Sequence, residues 1–364
     1  MKTLIVTDLH IGEFTHGFID PETGHNSRLI DVYRRFNKIR KYCIKNNIDT
    51  IVIPGDIYDL KTPKNLIRKT FAQIVKKTIQ KKLKLIIMIG NHDISSSTGH
   101  ALAEMEELSG IIDGLTIIST PKVMRLGDVD FMFLPWNPFN TREDNHNELL
   151  ELSKQIKRKS VLIGHFATNK NTYGITDDEE ILDFDYVKSL NFNAVFLGHL
   201  HKHCQLDKNM WHIGSFTRTS FNEEDEVKQV VEFDNDNCTY EFIEFDDRKF
   251  KTFTYQDNFE QFEYEIENTD LSELVTRIQV KIKENDPKYE KIDQLINFVK
   301  ENSWKYVGTI KDIVKVENSS FTMTEKTTPK DAFKIYLEEN TEFFGDLKTE
   351  CYQEGLKILE SLKG

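Results

Sequence analysis

Five groups of chemically capable side chains recur over the first 200 residues: Asp8-Leu9-His10, Asp56 with Asp59, Asn91-His92-Asp93, His165, and His199-Leu200-His201. They take in five of the eleven histidines. The donors are carboxylate, imidazole and one carboxamide, with no cysteine, a mixture suited to manganese, iron or zinc more than to a purely oxygen-loving ion. Seven ligands drawn from these groups are too many for one ion and right for two that share a bridge. Asp56 is the natural bridge, because its two oxygens can face different ions. Two ions roughly 3.5–4 Å apart form the clamp for in-line displacement at phosphorus, polarising a water and neutralising phosphate charge. The chemistry expected is phosphoester hydrolysis.

Each group follows a short β-rich apolar run, at residues 4–7, 50–54, 85–89, 161–163 and 194–197. Glycines 55, 90, 164 and 198 stand immediately ahead of four of the five groups. Helical patterns at 29–45, 64–81 and 101–108 lie between several of the runs, so βαβ units and a largely parallel sheet are expected. Ligands of open α/β sheets collect at the carboxyl ends of strands, where these groups sit. A hairpin is expected at 123–135 around Gly127-Asp128, and another at 227–255 turning at 234–237. The reading is an α/β sandwich of two mixed sheets with helices outside, closing near residue 250. A second unit follows, with strands near 274–282 and 305–316 and a helix near 291–301. Residues 317–328, rich in Ser and Thr, read as a linker, and 328–362 as two helices separated by Phe344-Gly345-Asp346.

The 364 residues suit two or three domains, and 38% hydrophobic content with 30% charged suits a folded core. No apolar run approaches the ~18 residues of a membrane span. The first residues gain charge too early for a signal peptide. Four scattered cysteines give neither a disulfide framework nor a thiolate zinc site. A soluble cytoplasmic protein is expected. The net charge of −12 opposes binding nucleic acid through a basic surface, so a polyanionic substrate would need bound cations or a partner to draw it in.

The ordered motifs over residues 4–220 resemble the calcineurin-like metallophosphoesterase superfamily, and within it the SbcD, or meiotic-recombination-eleven, nuclease family with its phage members. Asp93 ends the Gly90-Asn91-His92-Asp93 motif where phosphoprotein phosphatases usually carry Glu, and Asp59 is followed by Leu60-Lys61 in place of Arg-Gly. Gly214-Ser215-Phe216-Thr217-Arg218-Thr219-Ser220-Phe221, with Glu224 and Lys228 beyond, is similar to the family's Gly-Ser…Arg…Ser-Phe stretch, although Ile213 stands where Pro is usual. The resemblance implies a four-layer sandwich whose first metal is held by Asp8, His10, Asp56 and His201. Asp56, Asn91, His165 and His199 would hold the second. It implies that His92 stabilises the transition state or protonates the leaving sugar oxygen, that Asp93 orients His92, and that manganese serves better than magnesium. Asp59 reads as a helix cap or an outer contact rather than a ligand. Arg218, His203 and His16 are candidate DNA contacts, against a salt bridge from Arg218 to Glu223 or Glu224 and a solvated loop for His16. His25 and His100 read as solvated loop residues.

The same resemblance divides the chain into a nuclease domain at 1–255, a capping domain at 256–316, a linker at 317–327 and a helical pair at 328–364. The pair would dock on the coiled coil of an SbcC-type ABC ATPase through Phe333, Tyr336, Leu337, Leu347 and Ile358. It also implies a homodimer within a heterotetramer, through helices bearing Leu66, Ile67, Phe71, Ile74, Leu102, Met105 and Leu108; packing on the chain's own sheet needs the same apolar face. The function expected is a manganese-dependent DNA exonuclease and endonuclease in a bacterial or phage-infected cell. The alternatives are a phosphodiesterase of small or cyclic nucleotides and a DNA-end-binding scaffold.

Overall fold

The computed structural model describes residues 1–95, 99–172, 181–283, 286–314, 328–339 and 348–361. The expected linker, the acidic run at 177–180, Phe344-Gly345-Asp346, Leu347 and Leu362 lie outside them. Two six-stranded mixed sheets form the body. The first runs Thr239–Glu244, Gln229–Asp234, Lys2–Ile5, Thr50–Pro54, Lys84–Met88 and Leu115–Ile118; the last four are mutually parallel. The second runs Cys204–Asp207, Met210–His212, Ala194–Gly198, Lys159–His165, Val129–Leu134 and Lys122–Leu126, with a parallel centre and antiparallel edges.

Strand alternation builds three apolar layers. Ile5, Val52, Ile86, Phe131, Phe133, Ile163 and Phe196 point inward and fill the space between the sheets. Their neighbours Leu4, Ile51, Ile53 and Ile87 point outward onto Phe36 and Ile39 of the helix Ser27–Lys45 and Phe71 and Ile74 of the helix Asn65–Ile79. On the far side, Met132, Leu134, Leu162 and Val195 meet Leu149 and Val187 from the helices Arg142–Ser153 and Phe184–Ser189. Strands covered on both faces explain the unbroken apolar runs. Burying each Leu, Ile or Phe in these layers contributes about 1.5–3 kcal/mol. The helix Ser27–Lys45 starts where Asn26 accepts the Arg28 N–H at 3.0 Å and carries Lys45 in its last turn, satisfying both ends.

The hairpin expected to reach Tyr255 stops at Glu244. Phe250–Gln256 pairs in parallel with Val275–Lys283, which pairs with Lys305–Val314, so a third sheet is all-parallel and begins before the expected boundary at 255. The cause is burial: Phe253 and Tyr255 alternate inward beneath the helices Phe259–Glu267 and Tyr289–Asn302, with Phe262, Ile278 and Ile292.

The helices expected at a dimer interface spend their apolar faces at home. Ile67, Phe71, Ile74 and Leu102 are buried in the core, Leu66 and Met105 pack against it, and Leu108 is exposed. At the far end, Pro329–Glu339 packs on Lys348–Ser361, with Phe333 stacked on Tyr352 and Leu337 buried.

Candidate metal centre

The five groups meet at one rim, where the parallel strands of both sheets end. Four of the residues adopt left-handed backbone: Asp8 (φ 53°), His10 (φ 41°), Asp56 (φ 50°) and His199 (φ 83°). Such conformations cost non-glycine residues roughly 1–3 kcal/mol each and persist only where the surroundings enforce them. Here the enforcement is mutual. His10 N donates to Asp56 O at 3.0 Å, and His199 N donates to Asp8 Oδ1 at 3.0 Å. Crowding fixes two glycines: a Cβ on Gly55, itself at φ 98°, would lie 2.3 Å from His165 Nδ1, and one on Gly90 would lie 2.4 Å from Asp56 Oδ1.

Asp8, His10, Asp56 and His165 are all buried, and their donor atoms fall into overlapping groups: Asp8 with His10 and His201, His10 with Asp56 and His92, and Asp8 with Asp56 and His165. Asn91 Oδ1 lies 3.0 Å from His165 Nε2 and 3.2 Å from His199 Nδ1. All seven residues expected as ligands are thus brought to one centre, with Asp56 shared between groups.

The donor set fits cations. His10 Nε2 and His201 Nε2 face each other at 2.9 Å, and His10 Nδ1 is buried without a hydrogen bond. Burial holds His10 well below the usual histidine range, so its ring is neutral and its lone pair is available. At His165, burial opposes protonation but the Asp56 carboxylate 3.2 Å away outweighs it and raises the imidazole to about 10, so in the metal-free chain a proton compensates charge there. His165 Nδ1 is 2.7 Å from the Pro54 carbonyl, which can only accept, so the other nitrogen is the one turned to the centre.

Around these donors the side chains depart from several of the expected roles. Asp93 does not orient His92. Its carboxylate accepts N–H bonds from Gly90, Ile57 and Tyr58, while His92 Nδ1 is held at 2.8 Å by the Asp59 carbonyl. Asp59 caps no helix, since the next helix has Lys64 at its N-cap; its carboxylate lies 3.7 Å from His10 Nδ1. Arg218 does not pair with the Glu223 or Glu224 carboxylate. It is buried, ion-paired to Asp247 and bonded to the carbonyls of Glu223 and Glu226. His203 stacks on Trp211 and meets Phe242 edge-on, with Nδ1 on the Ile213 carbonyl. His16 sits between Phe14 and Phe250, and burial with Arg28 nearby lowers it to about 4, leaving it without positive charge for a phosphate. His100 pairs with Glu106 at 2.8 Å, and His25 is exposed. One carboxylate escaped notice as a site residue: Glu223 Oε1 lies 3.1 Å from His201 Nδ1. Its only sequence signal was its place in the stretch between Gly214 and Lys228.

Two sheets delivering carboxylates and imidazoles to a shared rim define a metal-dependent phosphoesterase. Residues 1–203 match the calcineurin-like phosphoesterase family, and the chain belongs to it. Its relatives include DNA double-strand break repair protein Mre11 of Sulfurisphaera tokodaii, 24% identical over 201 residues, covering 55% of this chain and 49% of that protein. The Methanocaldococcus jannaschii protein of the same name is 26% identical over 208 residues, covering 56% of this chain and 52% of its own. The chain thus matches about half the length of these relatives. Among solved structures, a dimetal phosphatase from Danio rerio aligns with a TM-score of 0.40 and 10% identity over 64% of this chain and 92% of that one. Among the described residues, no helix is long and apolar enough to cross a membrane.

Proposed function

We propose that the chain is a two-metal DNA nuclease that hydrolyses phosphodiester bonds as the partner of an SbcC-type ABC ATPase in double-strand break repair. The observation that carries this reading is the convergence of seven donors at one rim, four of them buried, in a chain whose relatives include Mre11 proteins. Asp8, His10, Asp56 and His201 would hold one ion, and Asp56, Asn91, His165 and His199 the other. When bound, two such ions supply an activated water and neutralise charge on the phosphate. Four imidazoles in that set favour manganese over magnesium.

The chain's own residues do the rest. The Asp59 carbonyl fixes a proton on His92 Nδ1 and leaves Nε2 for the substrate; protonated there, it can donate to the leaving sugar oxygen. Asp56 Oδ1 accepts the backbone N–H of His92 at 2.9 Å, which holds that residue beside the candidate ligands. The third-sheet unit and the helical pair are read as a DNA-binding cap and an ATPase-docking module, and the ATPase would supply positive surface that a chain of net charge −12 lacks.

The test is to incubate the purified chain with labelled linear DNA and with bis-p-nitrophenyl phosphate, with and without manganese and with the ATPase. Manganese-dependent cleavage of DNA is expected. Full activity in a chelator would overturn the two-metal reading, and hydrolysis of the ester with DNA untouched even beside the ATPase would favour the small-nucleotide reading.

A further inference from the structure

His201 is gripped from both sides. Its Nε2 faces His10, while its Nδ1 lies 3.1 Å from Glu223 Oε1 and 3.2 Å from the Thr219 hydroxyl. An ionised carboxylate only accepts, so Nδ1 carries the proton and the Nε2 lone pair is turned toward His10 and Asp8. Glu223 is itself locked. Its side chain is 5% exposed, and its Oε2 accepts from Ser215 Oγ at 2.8 Å and from Lys228 Nζ at 2.5 Å. Lys228, 1% exposed, also bonds the His201 carbonyl at 3.1 Å and Glu226 at 2.7 Å, so one ammonium holds both the backbone of His201 and the carboxylate on its ring.

The turn bearing Glu223 is pinned from outside. The Glu224 carboxylate accepts the Thr252 N–H at 2.7 Å from the third sheet, and the Arg277 guanidinium lies 4.3 Å over the Phe221 ring. Stability does not account for such an arrangement, because a buried ion pair is about as stable as an apolar set of equal volume. What an apolar set cannot supply is an acceptor for an imidazole N–H.

We propose that Glu223 is a positioning residue of the metal centre: by accepting the Nδ1 proton of His201 it fixes the tautomer and ring angle that present Nε2 to the ion shared with Asp8 and His10. This rests on the two-metal reading above, but not on the identity of the substrate. In Glu223→Gln the neutral amide holds the Nδ1 proton less firmly than the carboxylate and can turn its NH2 toward His201, which favours the proton on Nε2 and spoils it as a ligand.

The experiment titrates manganese into the chelator-stripped full chain by calorimetry and melts each metal-free protein. Wild type takes up two ions. Glu223→Gln should lose about 10–100-fold in affinity for one ion, the range for removing an outer partner of a metal-binding histidine, and keep the other. Its metal-free melting temperature should stay near wild type, because Glu226 still pairs Lys228. Adding the change to His201→Ala should weaken binding no further, since the two act on one ligand. If Glu223→Gln fails to fold, Glu223→Asp makes the same test, keeping a charge for Lys228 while withdrawing the oxygen from His201. Two ions bound with wild-type affinity by the variant would overturn the role of Glu223 and leave the metal centre standing. No ion bound by wild type would overturn both.

Discussion

Asp93 Oδ1 accepts the backbone N–H of Ile57 at 3.0 Å, joining the loop that carries Asn91 and His92 to the loop that carries Asp56. The same carboxylate takes the N–H of Tyr58 at 3.2 Å and, through Oδ2, that of Gly90 at 3.0 Å. It is fully buried, and burial reinforced by the Asp56 charge pushes it up to about 7. Three backbone donors converging on one buried side chain set the spacing between the two loops, and through it the position of Asp56 relative to Asn91. Asp93 therefore acts on the ligands through the backbone and not on the His92 ring.

Asp93→Ala should accordingly destabilise the fold. It strands three buried N–H groups, each costing roughly 1–3 kcal/mol, of which relaxation and water recover part, leaving a loss of about 2–4 kcal/mol. Urea denaturation of the metal-free protein measures it. A variant of unchanged stability whose only defect is an altered pH–rate profile would restore Asp93 as the orienting partner of His92.

His92 and His201 should separate chemistry from metal binding. His92 Nδ1 is held by a carbonyl outside the ligand set, so His92→Ala should keep both ions and lose roughly 10²–10⁴-fold in cleavage, the range for general acid–base groups. His201→Ala should instead weaken one ion. Manganese titration beside a rate assay distinguishes them, and loss of metal by both variants to the same degree would make His92 a ligand.

The convergence of the candidate donors was legible because strand ends, glycines and metal-binding side chains coincide in sequence. The two-sheet body was legible because its strands are covered on both faces and read as unbroken apolar runs. What eluded the sequence depends on long-range partners. Phe250–Gln256 alternates like a hairpin arm, and nothing local shows that it pairs with Val275–Lys283 instead of the preceding strand. Glu223 looked like one more acid in a charged stretch, because its partners His201, Ser215 and Lys228 assemble only in the fold. Arg218 reads equally as a phosphate contact or a partner of Glu223 or Glu224, and its actual partner Asp247 lies 29 residues on.

That last contact makes a prediction about DNA. Arg218 is buried with its guanidinium on Asp247 and two carbonyls, so Arg218→Ala removes a structural tie between the Gly214–Lys228 stretch and residue 247. Truncating one partner of such a buried pair costs about 3–5 kcal/mol. Thermal melting should fall, and turnover of DNA and of bis-p-nitrophenyl phosphate should fall together. A loss confined to DNA, with the melting temperature unchanged, would show that Arg218 meets the substrate phosphate.

The terminal helices give the sharpest division between folding and docking. Thr328 and Asp331 cap the first helix reciprocally, Thr328 Oγ1 accepting the Asp331 N–H at 3.2 Å, and Pro329 opens it where a missing N–H costs nothing. Phe333 stacks on Tyr352 at 6.2 Å between ring centres, so this expected docking residue holds the pair together, and Leu337 is 2% exposed. Tyr336 and Ile358 are 52% and 61% exposed. An amphipathic pair of this kind suits a helix-in-groove contact with a coiled coil. Deleting residues 328–364 should abolish co-purification with the ATPase and leave manganese-dependent cleavage largely intact. Tyr336→Glu with Ile358→Glu should abolish binding while preserving helical circular dichroism, whereas Phe333→Ala should loosen the pair itself. Retention of the ATPase with unchanged affinity by the deleted chain would rule the tail out as the docking site, and an unfolded product would show that the helices pack back on the same chain.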